Sequence, residues 1–548
     1  MCKRLIHYTI ITTIVIIAYI VIINGDFVCD DLLLIRDNPY ITRLQSLSSY
    51  LTQEDGIIDD LNRGVFHTGY YRPLLNFTYF LDYKIWGMKA YGFRATNIFL
   101  HLLTCFMLYE LLLQFVSRRW DVFWAVLLFA VHPLHTETIS MIVSRNNILA
   151  ALFILASFYF YLIWWRKGTP LALAVSLIAF TGAVFSKEFG LMALPVLFLY
   201  QRFLTEKNNY RREAESYFPY LVIIIIYLLL RKTVVQSPLS IPGDILMRIA
   251  YIPYLLAYNL TLIFLPLNLH SFSIFYPASL LEPAVIGSFL LFFLIIALLY
   301  FLRKNPLVIF SASAFFMTLL PVLNIINKPS VTLIAMRWLY LPMAFLTFGF
   351  TQILTKAKLD EKRGRCAKQI ILLAVAIGFA AESYILNAHL WYDQETYLMQ
   401  EVLHFSNERC MGDYAEIMLK KKRYREAEYF FRQSLKQTPL YVRDLINYGA
   451  LLIDMRRPSE ALSILKKAGP LKMDNRERVD WNNNMGAALT ISGNCGQAHK
   501  YFNDALALNP QDAGLHRNMA YLLIQEGRIK EATQHIEISR QIESVNKR

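Results

Sequence analysis

The stretch HPLHTETISMIVSRN, residues 132–146, lies between two hydrophobic runs and puts His132, His135, Glu137 and Arg145 where a chain leaves one apolar segment and enters the next. Polar and ionisable groups at such a boundary are costly unless they have partners or a task. Working outward, SKEFG at 186–190 and the acidic pair Asp30 and Asp31, directly after the first apolar run, have the same character. Three polar clusters beside apolar runs predict a site at one face of a membrane.

Composition agrees with that setting. The chain has 548 residues, 56% of them hydrophobic and 14% aromatic, with a mean hydropathy of +0.36. These values exclude an ordinary soluble domain. Apolar runs begin near residues 7, 94, 121, 147, 169, 190, 217, 284, 307, 338 and 369, which predicts an all-α, polytopic membrane bundle of about eleven spans. Lys3 and Arg4, Arg118 and Arg119, Arg166 and Lys167, Arg202 to Arg212, Arg303 and Lys304, and Lys356 to Lys368 fall on one side of that arrangement. Basic residues are retained on the cytoplasmic side, so the N-terminus is expected inside. The net charge of +14 then reflects contact with anionic headgroups rather than nucleic acid.

The apolar segment 246–266 does not fit this alternation. Its Pro253 and Pro266 predict an irregular interfacial or re-entrant segment. Arg231 and Lys232 are left on the outer side without a role. The first run is expected to stay as an anchor, since no small-residue cleavage pattern follows it.

From about residue 389 the composition changes. Ala415, Gly449, Gly486 and Ala520 mark one small position, and Ala427, Ala461, Ala498 and Ala532 another, spaced mostly 34 residues apart. Gly486, Ala498, Phe502, Ala505 and Pro510 take the offsets of a tetratricopeptide repeat, in which small residues let paired helices approach. The expected organisation is a membrane domain over 1–388 and about four repeats over 389–548, placed outside by an odd span count. Such repeats bind protein partners or scaffold assemblies.

Asp30 and Asp31 suit a general base near the interface, where partial desolvation raises a carboxyl pKa; capping of the helix that starts at Leu32 is an equal alternative. Arg72, in YRPL, suits a phosphate through its planar fork, or headgroups by snorkelling. His132, His135 and Glu137 would allow a divalent metal ion, but lack the i, i+4 spacing of a helical zinc pair. Lys187 and Glu188 would pair with each other, or Lys187 would face an anionic phosphate. The cysteines lack paired spacing, and Asn76 and Asn259 stand in chance-grade sequons.

Taken in order, FVCDD at 27–31, YRPL at 71–74, VHPLHTE at 131–137 with Arg145 beyond, SKEFG at 186–190 and RWLYLP at 337–342, followed by the repeats, resemble the transmembrane and TPR-repeat O-mannosyltransferases among the C-type glycosyltransferases. The resemblance implies about eleven spans, catalysis on the outer or lumenal face, and inverting transfer of a sugar from a polyprenyl-phosphate donor to a hydroxyl of a protein or glycan acceptor. It implies Asp30 or Asp31 as base, with Lys187, Arg337, Arg72 and Arg145 as donor-phosphate ligands. His132, His135, Glu137, Glu188 and Tyr340 would shape the sugar site beneath the first large loop. Met336 and Asn147 depart from the family pattern, where acidic residues are common. The short tail looks more like a bacterial relative with periplasmic repeats. A glycan ligase, a membrane-anchored assembly protein working through its repeats, and a secondary transporter are the competing readings. The transporter would show repeated halves, which the motifs lack.

Overall fold

The computed structural model describes residues 2–42, 58–60, 64–66, 69–205, 210–235, 245–267, 269, 277, 279–323, 334–357, 362–405 and 408–546. Much of the large loop after Asp31, expected above the sugar site, lies outside these residues. The described chain is almost wholly helical. A short antiparallel hairpin, β1 (Ile58–Asp60) paired with β2 (Gly64–Phe66), is the exception, with Asp59 opposite Val65. The chain divides into two compact units. One runs to Tyr397, and the other comprises Leu398 onward together with the hairpin.

The first unit is a bundle of apolar helices. Eight segments among the described residues are long and apolar enough to cross a membrane: Lys3–Asn24, Ala90–Leu112, Ile142–Lys167, Arg211–Val234, Met247–Phe264, Pro283–Lys304, Met336–Lys356 and Gly364–His389. Pro170–Ser186 and Pro306–Val322 are shorter apolar helices, and the runs near 121 and 190 form the still shorter Arg119–Ala130 and Ala193–Leu204. The protein is thus a multi-pass membrane protein.

The irregular segment expected at 246–266 is instead helical, as Ile245–Ala250 and Ile252–Phe264. Pro253 sits in the first turn of the second helix, where a residue without an N–H leaves no hydrogen bond unmade. It starts a helix and does not break one. Pro73, Pro170, Pro283 and Pro306 stand at helix starts in the same way.

Gly25 marks the sharp exit from the first span. A Cβ there would lie 2.1 Å from the Tyr392 carbonyl oxygen and 2.3 Å from Arg94 Nη1, so the backbone passes where no side chain fits. Below this exit a core of Phe27, Ile35, Leu75, Tyr79, Phe93, Ile142 and Leu149 fixes the segment that carries Asp30 and Asp31.

Among the described residues the second unit contains four helix pairs: Glu408–Lys420 with Tyr424–Gln437, Val442–Asp454 with Pro458–Ala468, Asn475–Ile491 with Cys495–Leu508, and Ala513–Gln525 with Ile529–Asn546. The small residues picked out by spacing lie at the crossings. Ala415, Ala427, Ala461, Ala498, Ala520 and Ala532 are buried. A Cβ on Gly486 would meet the Phe502 ring at 2.8 Å, and Phe502 itself is buried against Leu489, Met519 and Leu523.

Candidate active site

Cys29 has a φ of 52°, a left-handed conformation uncommon for a side-chain-bearing residue. Its N–H is held by Gln394 Oε1 at 2.6 Å. The next two carboxylates differ in exposure. Asp30 is exposed. Asp31 has no exposed surface, and its Oδ2 and Oδ1 accept the N–H groups of Ile142 at 3.0 Å and Val143 at 2.8 Å. Burial pushes its carboxyl up to about 7, against the opposing pull of these two N–H groups and Arg94. Asp31 makes no side-chain cap to the helical turn Leu32–Arg36, so the capping alternative is set aside. Its oxygens serve a turn more than a hundred residues away.

Arg94 was missed by the sequence reading. It is fully buried and donates to four backbone carbonyls: Ile22 at 2.7 Å, Asp26 at 2.5 Å, Trp391 at 2.8 Å and Tyr392 at 3.3 Å. It ties the end of the first span to the end of the last one. A signal was available, because an arginine inside a 23-residue apolar helix demands internal partners.

Glu137 and Arg337 form one ion pair of the site. Glu137 Oε1 contacts the guanidinium, and its Oε2 accepts the Arg337 backbone N–H at 2.8 Å. That N–H opens the helical turn Met336–Leu339, where a carboxylate is favoured. Glu137 is wholly buried while the Arg337 side chain is 22% exposed, and Arg337 lies within electrostatic reach of Asp30.

The second pair is Arg72 with Glu188. Nη2 and Nε of Arg72 reach Glu188 Oε2 at 3.0 and 3.2 Å, and the guanidinium lies 4.0 Å from the centroid of the Tyr70 ring. Burial raises the Glu188 carboxyl; Arg72, a backbone N–H and Lys187 together outweigh it and hold the group below its ordinary range. The expected Lys187–Glu188 pair is therefore replaced by Arg72–Glu188. Gly190 permits the turn, since a Cβ there would lie 2.3 Å from the Ala183 carbonyl carbon.

Lys187 turns elsewhere. Its Nζ donates to Asn147 Oδ1 at 2.5 Å and lies 4.2 Å from the Phe189 ring centroid. Burial, then the fields of Arg72 and Arg337, push its pKa well below the usual lysine value, against the pull of Glu188 and Glu137. Asp30, Arg337, Glu137, Lys187, Glu188 and Arg72 thus form one electrostatically coupled cluster drawn from five chain segments.

Other expected site residues go into the packing. Arg145 is fully buried; it hydrogen bonds Asn97 Oδ1 at 2.7 Å and the Phe93 carbonyl at 2.9 Å, and pairs with Asp82 at 2.5 Å. With the Tyr79 ring over its guanidinium at 4.9 Å, it clamps helices and presents no face to a phosphate. Tyr340 is buried, its hydroxyl 2.7 Å from His101 Nδ1. His132 contacts the Ile263 carbonyl at 2.9 Å. His135 is enclosed by Phe129 and Tyr340, with ring centroids 4.5 and 4.7 Å away. Burial lowers both histidines, His132 to about 4, and keeps them neutral. The metal set considered from sequence does not assemble: His132 turns to backbone and Glu137 to Arg337. Among the described residues no group of three His, Cys, Asp or Glu side chains is placed to hold a metal ion.

Arg231, unexplained by sequence, donates to the Gly69 carbonyl at 3.2 Å, beside the Tyr70–Arg72 segment.

The cluster and the bundle define a class: a membrane protein with a charged, partly open site at the ends of its spans. Comparison supplies relatives. Over 190 residues, 34% of this chain, it is 30% identical to "Protein O-mannosyl-transferase F38B6.6" of Caenorhabditis elegans, covering 26% of that protein. Over 199 residues, also 34% of this chain, it is 32% identical to "Protein O-mannosyl-transferase TMTC1" of Homo sapiens, covering 22% of it. The chain therefore matches about a quarter of the length of these relatives. The tetratricopeptide repeat family matches residues 489–540. Among solved structures, ArnT from Cupriavidus metallidurans bound to undecaprenyl phosphate aligns over 93% of this chain and 80% of its own, with 13% identity and a TM-score of 0.38.

Proposed function

We propose that this protein is a membrane glycosyltransferase that moves a sugar from a polyprenyl-phosphate carrier to a hydroxyl on a protein or glycan acceptor, with inversion. The observation that carries the reading is the placement of exposed Asp30 in the field of Arg337, with Lys187 and Arg72 coupled to the same cluster. Asp30 takes the proton of the acceptor hydroxyl as its oxygen attacks the anomeric carbon and the bond to the phosphate oxygen breaks. Negative charge collects on the departing carrier phosphate, where preorganised cations of low-dielectric sites contribute roughly 3–4 kcal/mol. Lys187 and Arg337 are the cations for that role. Glu137 and Glu188 hold Arg337 and Arg72 in place, and Asp31 acts as a positioning group for the turn at 142–144.

The relatives named as protein O-mannosyl-transferases support protein hydroxyls as acceptors and mannose as the sugar to test first. The basic loops support a cytoplasmic N-terminus; Arg94, bonded to carbonyls at the ends of both the first and the last span, supports placing those two ends on the opposite, periplasmic or lumenal side, with the repeats that follow receiving a protein partner. Mass spectrometry of lipid-linked sugars and glycosylated proteins is the test, comparing a deletion strain complemented with wild type or with Asp30→Asn. Loss of one glycoform and accumulation of its carrier-linked sugar in both the deletion and the variant are expected. Unchanged glycoproteins in the deletion strain would end the enzyme reading.

A further inference from the structure

Within the charged cluster, Arg337 and Arg72 each have a carboxylate partner, Glu137 and Glu188. Lys187 has a carboxamide. Both ends of that carboxamide are engaged: Asn147 Nδ2 donates to the Ser144 carbonyl at 3.1 Å, and Oδ1 accepts from Lys187 Nζ at 2.5 Å. The amide orientation follows, because only the NH2 end can satisfy a carbonyl and only the oxygen an ammonium. Lys187 and Asn147 are both buried, 5% and 6% exposed. A carboxylate at 147 would lose the bond to Ser144 and neutralise the lysine. An amide fixes the lysine head without placing a carboxylate in hydrogen-bonding contact with it, and a buried cation with no carboxylate bonded to it favours an incoming anion.

We propose that Asn147 is a positioning residue that presents Lys187, uncancelled, to the phosphate monoester of the lipid carrier. This rests on the glycosyltransferase reading above. The charged groups coupled to Lys187 are Arg72, Glu188, Arg337 and Glu137. The two arginines and burial disfavour its charged form, the two glutamates favour it, and the Asn147 oxygen adds a hydrogen bond to the ammonium. Asn147 therefore sets both how firmly phosphate binds and the pH at which binding is lost as Lys187 deprotonates. It also joins two parts of the site. The Ile142–Ser144 turn whose N–H groups bind Asp31 carries the Ser144 carbonyl that orients Asn147.

The test is calorimetric binding of farnesyl phosphate to the full-length protein in detergent between pH 6 and 10. Wild type is expected to bind with an affinity that falls at alkaline pH. Asn147→Asp is expected to bind about tenfold more weakly near pH 7, with the alkaline fall moved up by about one to three pH units, because an adjacent carboxylate stabilises the ammonium. Asn147→Leu removes the acceptor without adding charge, so its fall moves to lower pH. Opposite displacements in the two variants are a result that loss of packing alone does not produce. If both bind as wild type does, with the alkaline fall unmoved, the proposal is overturned; should Asn147→Asp fail to accumulate, Asn147→Leu decides alone. Lys187→Met separates the two levels. If it binds as tightly as wild type, the phosphate site itself is misassigned. If it weakens binding while the Asn147 variants do not, only the role of Asn147 falls.

Discussion

Asp30 and Asp31 are neighbours in sequence with opposite surroundings: the first is exposed and within electrostatic reach of Arg337, and the second is enclosed with both oxygens on the Ile142 and Val143 N–H groups. The left-handed Cys29 immediately precedes them. A base needs access to an incoming hydroxyl, and of the two only Asp30 has it.

Substitution is expected to separate their roles. Asp30→Asn should lower transfer by about 10²–10⁴, the usual contribution of a general base, with the thermal unfolding midpoint of the detergent-solubilised protein unchanged. Asp31→Asn should destabilise by about 1–3 kcal/mol, since one end of the amide would face an N–H it cannot accept. Full turnover in Asp30→Asn would remove that carboxylate from the mechanism.

Asp31 also makes stability depend on pH in a definite direction. Burial raises its folded-state pKa to about 7 from an ordinary value of 3.8, so between these limits the folded protein binds more protons than the unfolded one. The resulting stabilisation is fully present below about pH 4 and is lost as pH rises through about 7. Unfolding midpoints from pH 4 to 8 should show this decline in wild type and a shallower one in Asp31→Asn. Equal slopes would argue against it.

Arg145 is a structural clamp. Removing it leaves Asp82 buried beside Thr96 alone, and breaking a buried pair from one side costs about 3–5 kcal/mol. Arg145→Ala should therefore reduce the amount of folded protein recovered from membranes. Arg145→Lys should not restore it, because a single ammonium cannot span Asn97, Phe93 and Asp82 together. Wild-type yield with altered donor affinity would return Arg145 to the phosphate.

Orientation can be read directly. A cysteine placed at exposed Lys467, in a chain with its other cysteines replaced, should react with a membrane-impermeant maleimide applied from outside intact cells or spheroplasts. Protection until lysis would put the repeats on the cytoplasmic side and the parity of the spans would have to change.

The polar motifs were legible because ionisable residues beside apolar runs are rare, and HPLHTE, SKEFG and the Asp30–Asp31 pair stood out on that ground alone. Their partners were not. Lys187 and Glu188 invited pairing as neighbours, yet the turn after Ser186 and the arrival of Arg72 from a distant segment gave Glu188 a stronger cation and Lys187 an amide. Arg145 looked as available as Arg337 because each is an arginine beside an apolar run; only burial distinguishes a clamp from a ligand.

What the chain alone determined is the periodic and compositional part: apolar runs that need a bilayer, small residues at regular spacing that let helices pair in the repeats, and charges too costly to be idle. Those features depend on each residue's own transfer free energy and volume, which neighbours in space do not alter. Which carboxylate faces out, which arginine is enclosed and which amide holds Lys187 were settled by the packed bundle. Hydrogen bonds and ion pairs between segments 40 or more residues apart exist only once the helices have brought them within about 3 Å.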